Sequence, residues 1–328
     1  MKAVLMSGSG GIECLHIAEH PDPVMKEDEL LVRIRTTALN RADLLQRRGK
    51  HPPPKGVPDI LGLEMAGEVA SVGPACEGWA PGDRVCALLP GGGYAEKVSI
   101  PAGLAMRIPE DLSFEQAAAI PEVFLTAYQN LFNVAGLRSG ETVLIHAAGS
   151  GVGTAAIQLI REVGAESLVT AGTREKIDWC IALGARAGWN YTEGPFAPWV
   201  SQMTGGKGVG IILDFVGAPY FEENLQSLTV DGRMVMIGTL GGAEVEMFNL
   251  RTLMTKRLQI TGAGLRSMDT RKKIALTRDF AAFALPQFAD GRLVPIVDSV
   301  FDWKEAAKAH ERMEDNVNTG KIVLRVTG

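Results

Sequence analysis

Residues 147–154 read Ala147-Ala148-Gly149-Ser150-Gly151-Val152-Gly153-Thr154, a glycine-rich turn able to bring backbone amides against a phosphate. Glycines let the chain approach a pyrophosphate closely, and the N–H groups and dipole of a following helix face its negative charge. The turn follows a buried-strand pattern, Glu141-Thr142-Val143-Leu144-Ile145-His146. It precedes residues 154–163, where Ala156, Ile157, Leu159, Ile160 and Val163 recur at helical spacing. Glycine alone also serves ordinary turns, and the strand–turn–helix setting is what points to a phosphate site. Strict G-x-G-x-x-G is not met, because Gly149 and Gly151 would need a third glycine at Thr154. One residue earlier, the frame is Ala148-x-Ser150-Gly151-x-Gly153.

In dinucleotide-binding folds an acidic residue about 20 positions later holds the adenosine ribose hydroxyls. Here the second strand, residues 167–171, runs into Gly172-Thr173-Arg174-Glu175-Lys176. An aspartate would repel a 2′-phosphate, whereas Thr173, Arg174 and Lys176 could bind one. NADPH is expected over NADH, with some NADH use left open by Glu175. The alternative is that Arg174 and Lys176 only decorate an exposed first helical turn.

The elements that must carry these residues fall into two groups. Up to about residue 120 the chain is β-rich: Lys2–Met6, 13–18, 29–35, Glu64–Val72, 83–88 and 94–100 are short runs separated by Gly and Pro. His51-Pro52-Pro53-Pro54-Lys55-Gly56 reads as an extended surface loop. Ser113 and Gln116 form a helix-capping signature, and Pro121 opens a helix through Val134. Strands at 141–146, 167–171, 209–215 and 233–238 then alternate with helices from Gly151, from Arg174 and over 220–228. That pattern predicts a parallel sheet covered on both faces. Thr270–Ala289 and 302–313 read as helices and 321–326 as a last strand. The fold class expected is α/β, a β-rich domain plus a doubly wound sheet.

At 328 residues the chain suggests two domains. Apolar content of 46%, charged content of 22% and a net charge of −5 describe an ordinary globular protein with no electrostatic call for nucleic acid or anionic membrane. No apolar run is long enough to span a bilayer, and the apolar N-terminal stretch is too short for a signal peptide. A cytoplasmic location is expected. Cys14, Cys76, Cys86 and Cys180 are too far apart in sequence for a zinc lobe or a disulfide framework. His16 and His20 fall in a strand-like region, which separates them, so they read as structural. His146 is expected to pack beside the glycine turn and His310 to lie on a helix surface.

Six segments in order carry a family resemblance: Ala38-Leu39-Asn40-Arg41-Ala42-Asp43-Leu44, Ile60-Leu61-Gly62-Leu63-Glu64, Leu88-Leu89-Pro90-Gly91-Gly92-Gly93, Ala117-Ala118-Ala119-Ile120-Pro121-Glu122, residues 150–159, and Gly320-Lys321-Ile322-Val323-Leu324. The chain resembles the zinc-free quinone oxidoreductase branch of the medium-chain dehydrogenase/reductases, and within it the tumour-suppressor-inducible subgroup. The resemblance implies a GroES-like catalytic domain (1–120 and 263–328) interrupted by a Rossmann NADPH-binding domain (121–262). In zinc-dependent relatives a cysteine stands where this chain has Asn40 and a histidine where it has Leu63. Leucine cannot ligate a metal, so no zinc is expected. A quinone needs no Lewis acid, being already electrophilic, so a cleft that aligns the nicotinamide and donates hydrogen bonds suffices.

By this resemblance Asn40 lies beside the nicotinamide and the acceptor; otherwise it caps the following helix. Asp43 and Gln46 either line the cleft or face solvent. His51 stands near a tyrosine of the subgroup and could donate to the quinone oxygen, or be a solvated loop residue. Thr126 matches a threonine near the nicotinamide amide, or is a packing residue. Ser150, with Gly151, Val152 and Gly153, resembles the serine of the pyrophosphate turn at the cleft floor, or is an ordinary turn residue. Tyr191 resembles the tyrosine against the adenosine, or is a core aromatic. Gly172, Val216, Gly217, Gly238 and Leu265 are expected to wall the coenzyme, and Lys321 either reaches it or is an edge-strand charge. Asn40, His51 and Ser150 are the catalytic candidates.

The leading reading is zinc-independent NADPH:quinone reduction of a small-molecule quinone by a homodimer. The alternatives are reduction of activated C=C bonds in 2-enals or enoyl thioesters, and NADPH binding without turnover. The acidic pI of about 5.7 weighs against RNA.

Overall fold

Short apolar runs alternating with helices build a parallel sheet in the unit Thr126–Leu265. The computed structural model describes residues 1–327. Within this unit the strands are β1 (Thr142–Ile145), β2 (Glu166–Ala171), β3 (Ala187–Asn190), β4 (Val209–Asp214), β5 (Leu228–Met236) and β6 (Gln259–Gly262). Their order is β3-β2-β1-β4-β5-β6, and every pairing is parallel. This is the doubly wound order, and its direction reverses between β1 and β4, where such sheets bind ligands beyond the carboxyl ends of the strands. Val143, Leu144 and Ile145 are wholly buried, which explains the unbroken apolar run of a strand covered on both faces. Leu144, Leu168, Ile212 and Met234 meet Phe196, Val200, Phe221 and Leu225 of the covering helices.

The second unit joins Met1–Leu125 to the described residues from Arg266 onward. Its main sheet runs through the antiparallel strands Glu29–Ala38, Glu64–Val72, Arg84–Leu88 and Ala105–Arg107, with Lys97–Pro101 also paired to Glu29–Ala38. On the other side Lys321–Arg325 pairs antiparallel with Glu29–Ala38, and Val297–Asp302 lies parallel outside it. Leu30, Val32, Ile34, Met65, Val69 and Val85 form one core of this unit. The α/β class, with a β-rich unit and a Rossmann-type sheet, is as the sequence indicates.

Lys2–Met6, Glu64–Val72 and Thr270–Ala289 have the expected bounds, and Ser113 and Gln116 close the expected capping box. The helix from Pro121 is α-helical to Tyr128 and continues as a π-helical turn over Gln129–Val134. The expected strand at 13–18 begins as a tight turn, Ile12–Cys14, and is extended only over Leu15–Glu19. The helix expected over 302–313 starts later, at Ala306, after a turn capped by Asp302. His310 is not on a helix surface. It lies on the buried stripe of Ala306–Glu314, where Tyr94 Oη is 3.1 Å from its Nε2 and Arg47 lies 3.3 Å from its Nδ1. All four cysteines are free thiols, and among the described residues no helix is long and apolar enough to cross a membrane.

Candidate active site

The strand Glu29–Ala38 delivers Asn40 to the start of the helix Arg41–Arg47, where it is the extended N-cap residue. Asp43 reaches back and accepts from the Asn40 backbone N–H at 2.8 Å, and its other oxygen accepts from Gly62 N at 2.8 Å. Asp43 therefore ties this helix to the turn before Glu64–Val72. Burial pushes its pKa up to about 6 against the opposing pull of those two N–H groups. The solvent-facing option for Asp43 and Gln46 is wrong, since both are buried. Gln46 donates to Asp59 at 3.0 Å and accepts from Arg266 at 2.7 Å.

The Asn40 amide is held at both ends. Its Nδ2 donates to Glu64 Oε1 at 2.8 Å, and its Oδ1 accepts from Lys321 Nζ at 2.7 Å. Lys321 also donates to Leu39 O and pairs with Glu64 Oε1 at 2.7 Å. The edge-strand reading of Lys321 is thus corrected: its strand is interior and its side chain is 3% exposed. That fixed cation fills the oxygen cage of Asn40 and Glu64 with charge of the sign a metal would bring. Glu64 Oε2 accepts from the Glu122 N–H at 2.8 Å. Burial first, and then the charge of Glu64, push the Glu122 pKa up to about 8. Sequence reasoning missed Glu122 and Glu64 as participants, although both lie in the segments that carry the resemblance.

His51 is half-buried in the proline-rich loop. Arg266 spans three segments, donating to Pro90 O at 3.0 Å, His51 O at 3.3 Å and Gln46. Burial and then the Arg266 charge lower the His51 pKa, so its ring is neutral at pH 7.

In the parallel-sheet unit the chain leaves β1 through Ala147, which takes a left-handed φ of 48°, a strained geometry for a non-glycine residue. Ser150 then caps the helix Gly151–Glu162, its Oγ accepting from Gly153 N at 3.2 Å. A Cβ on Gly153 would lie 2.4 Å from Ala148 O, so only glycine allows this close return of helix onto strand. The N–H groups of Gly151 and Val152, first in the helix, have no acceptor within it. The turn fits a pyrophosphate in shape and in charge.

At the end of β2, Thr173 caps the helix Arg174–Ala182 by accepting from Lys176 N at 3.2 Å. The Lys176 stem lies over the glycine turn, its Cδ 3.2 Å from where a Gly149 Cβ would be. The Tyr191 hydroxyl is 2.5 Å from a Cβ placed on Gly172. Tyr191 is 43% exposed, so it is no core aromatic. Arg174 pairs instead with Asp178 on its own helix, at 2.9 Å. Val216 and Gly217 follow β4, Gly238 follows β5, and buried Leu265 follows β6. Thr126, in the helix from Pro121, is also buried.

His146 closes β1 inside a buried polar chain: Nδ1 is 2.9 Å from Thr170 Oγ1 and Nε2 is 2.7 Å from Asn224 Oδ1. Asn224 donates to Asp214, which accepts from the Val216 and Gly217 N–H groups. Burial lowers the His146 pKa to about 4, so the ring is a neutral spacer that fixes the turn after β4.

Among the described residues no group of three His, Cys, Asp or Glu side chains is placed to hold a metal. Residues 26–110 match the family described as alcohol dehydrogenase GroES-like domain, and residues 151–279 the one described as zinc-binding dehydrogenase. The quinone oxidoreductase of Sus scrofa is 32% identical over 327 residues, covering 99% of this chain and 97% of its own. A quinone oxidoreductase of Escherichia coli, solved with NADPH, superposes with a TM-score of 0.89 at 31% identity, covering 99% of this chain and 100% of its own. A structure described as an NAD-dependent alcohol dehydrogenase gives 0.88 at 34% identity over the whole of both chains. The JamJ enoyl reductase gives 0.88 at 25% identity, covering 99% of each chain. A GroES-like sheet, a doubly wound coenzyme sheet and full-length similarity at this level place the chain in the medium-chain dehydrogenase/reductase superfamily, with the quinone oxidoreductases among its homologues.

Proposed function

We propose that this protein is an NADPH-dependent, metal-independent quinone reductase. The observation that carries the coenzyme choice is the end of β2, where glycine stands at 172, Thr173 caps the next helix and Lys176 lies over the phosphate turn. Full-length similarity to quinone oxidoreductases supports the quinone as acceptor.

Bound NADPH supplies a hydride from its nicotinamide. The chain's own residues do the rest. Ser150 and the Gly151 and Val152 amides hold the pyrophosphate, Thr173 and Lys176 the 2′-phosphate, and Tyr191 flanks the adenosine. Gly172, Gly153, Val216, Gly217, Gly238, Leu265 and Thr126 shape the coenzyme's walls. His51, a neutral ring, donates a hydrogen bond to the acceptor oxygen, and Asn40, its amide held by Lys321, Glu64 and Ala38, lines the acceptor's place. Lys321 fixes the Asn40 amide and balances the buried charge of Glu64 beside it. The reading includes a cytoplasmic homodimer, which light scattering on the purified protein tests.

The likeness to an enoyl reductase supports a second reading, reduction of an activated C=C bond. A steady-state screen with NADPH and NADH against quinones, 2-enals and enoyl thioesters decides between them. Faster turnover of quinones with NADPH supports the proposal. Turnover of the C=C acceptors alone overturns it, and coenzyme binding with no turnover makes the protein a binding protein.

A further inference from the structure

The carboxyl groups of Glu64, Asp43 and Glu122 lie within electrostatic reach of one another, and two have no oxygen to spare. Glu64 Oε1 takes Asn40 and Lys321, and its Oε2 takes the Glu122 N–H. Asp43 gives one oxygen to Asn40 N and the other to Gly62 N. Glu64 is wholly buried and Asp43 nearly so. Glu122 differs on every count. Its side chain is only part-buried, and neither carboxyl oxygen receives a hydrogen bond among the described residues. Its backbone is nevertheless tethered to Glu64, so one carboxylate bridges Glu122 to the Asn40 amide.

We infer that Glu122 is the acid that returns a proton to the reduced acceptor; this rests on the quinone-reductase reading above. Hydride addition gives a quinone two electrons and one proton equivalent, leaving a hydroquinone monoanion. In the next step the Glu122 O–H bond breaks and an O–H bond forms on the acceptor oxyanion. Glu122 is left as a carboxylate, and solvent, which reaches this side chain, restores its proton. Per turnover, one quinone, one NADPH and one proton become one hydroquinone and one NADP⁺.

The charged groups facing Glu122 come from five segments. Glu64 of its strand and Asp43 of the short helix oppose ionisation, while Lys321 of the C-terminal strand, Lys273 of the helix Thr270–Ala289 and Arg266 of the loop before that helix favour it. With burial the largest influence, the balance keeps the carboxyl protonated at neutral pH. His51 is in the opposite state, a neutral imidazole that donates a hydrogen bond but is a poor proton source.

The test is the pH dependence of kcat and kcat/KM with a quinone at saturating NADPH. Wild-type enzyme is expected to lose rate on the alkaline side with an apparent value near 8. Glu122→Gln is expected to cost roughly a hundredfold in kcat, to abolish that limb and to leave NADPH affinity unchanged. Lys273→Met removes a charge that favours ionisation, so it should keep the plateau rate and move the limb to higher pH. An E122Q enzyme that retains both the rate and the limb overturns the inference. So does a K273M enzyme whose limb stays in place or moves down, which keeps the idea refutable if E122Q does not fold. Absence of quinone-dependent NADPH oxidation in the wild type overturns the underlying reading as well, and so is distinguishable from failure of the acid assignment alone.

Discussion

Lys321 Nζ lies 2.7 Å from Glu64 Oε1, the two side chains being 3% and 0% exposed. A buried pair of this kind is expensive to break from one side, because the remaining charge loses its partner without regaining water. Lys321→Met should destabilise the fold by about 3–5 kcal/mol, read by urea unfolding at pH 7. The double variant with Glu64→Gln should recover much of that loss. Equal stability of the single and double variants would mean that Glu64 is not the partner that matters.

Removal of metal should change nothing. Asn40 and Glu64 already share an ammonium, so dialysis against EDTA is expected to leave quinone turnover intact. Activity lost on chelation and restored by zinc would contradict the metal-free assignment.

Coenzyme preference should be separable from coenzyme affinity. Lys176→Ala removes a charged contact to the 2′-phosphate, worth about 1.5–3 kcal/mol, and should weaken NADPH by tenfold or more while sparing NADH. Gly172→Asp should shift preference toward NADH by placing an acid at the ribose hydroxyls. Its Cβ would press on the Tyr191 hydroxyl, which is exposed enough to swing away. Titration of both coenzymes by fluorescence decides, and equal losses for the two would remove the 2′-phosphate role.

The contributions of Asp43 and Glu122 to stability should fall as pH rises through the carboxyl range. The folded-state values of Asp43 and Glu122 are raised, to about 6 from 3.8 and to about 8 from 4.5. Between those limits the folded chain keeps protons that the unfolded chain has released, so stability is fullest below pH 4 for these groups and is lost toward pH 8. Each pKa unit is worth about 1.4 kcal/mol. Glu122→Gln should therefore gain on wild type by a few kcal/mol as pH climbs from 4 to 8. His146 acts with the other sign: buried neutral at about 4 against 6.5, it costs stability as pH falls through that range. Melting curves across pH read both, and a wild-type-to-E122Q difference that is flat with pH would contradict the raised pKa of Glu122.

The parallel sheet was legible where strands are apolar on both faces, as in 141–146 and 209–215. Four-residue strands such as Ala187–Asn190 and Gln259–Gly262 carry too few apolar positions to stand out. The unrecognised strand Val297–Asp302 had a further consequence. It covers Lys321–Arg325, turning an apparent edge into an interior strand and its lysine into a buried partner. His310 is readable in principle, since it falls on the same helical stripe as Ala306, Ala309 and Met313, but an ionisable side chain on its own points to solvent. The glycine turn was found from local pattern, whereas the Asn40–Glu64–Lys321–Glu122 cluster joins residues up to 281 positions apart. Only the folded chain brings those together.

Direct hydride transfer from NADPH to a quinone is tested most plainly by single-turnover oxidation of NADPH deuterated at C4, with radical detection in parallel. The account predicts one hydroquinone per NADPH consumed, a normal primary isotope effect and no semiquinone. Coenzyme oxidation that ignores the quinone, shows no isotope effect or accumulates semiquinone would contradict it.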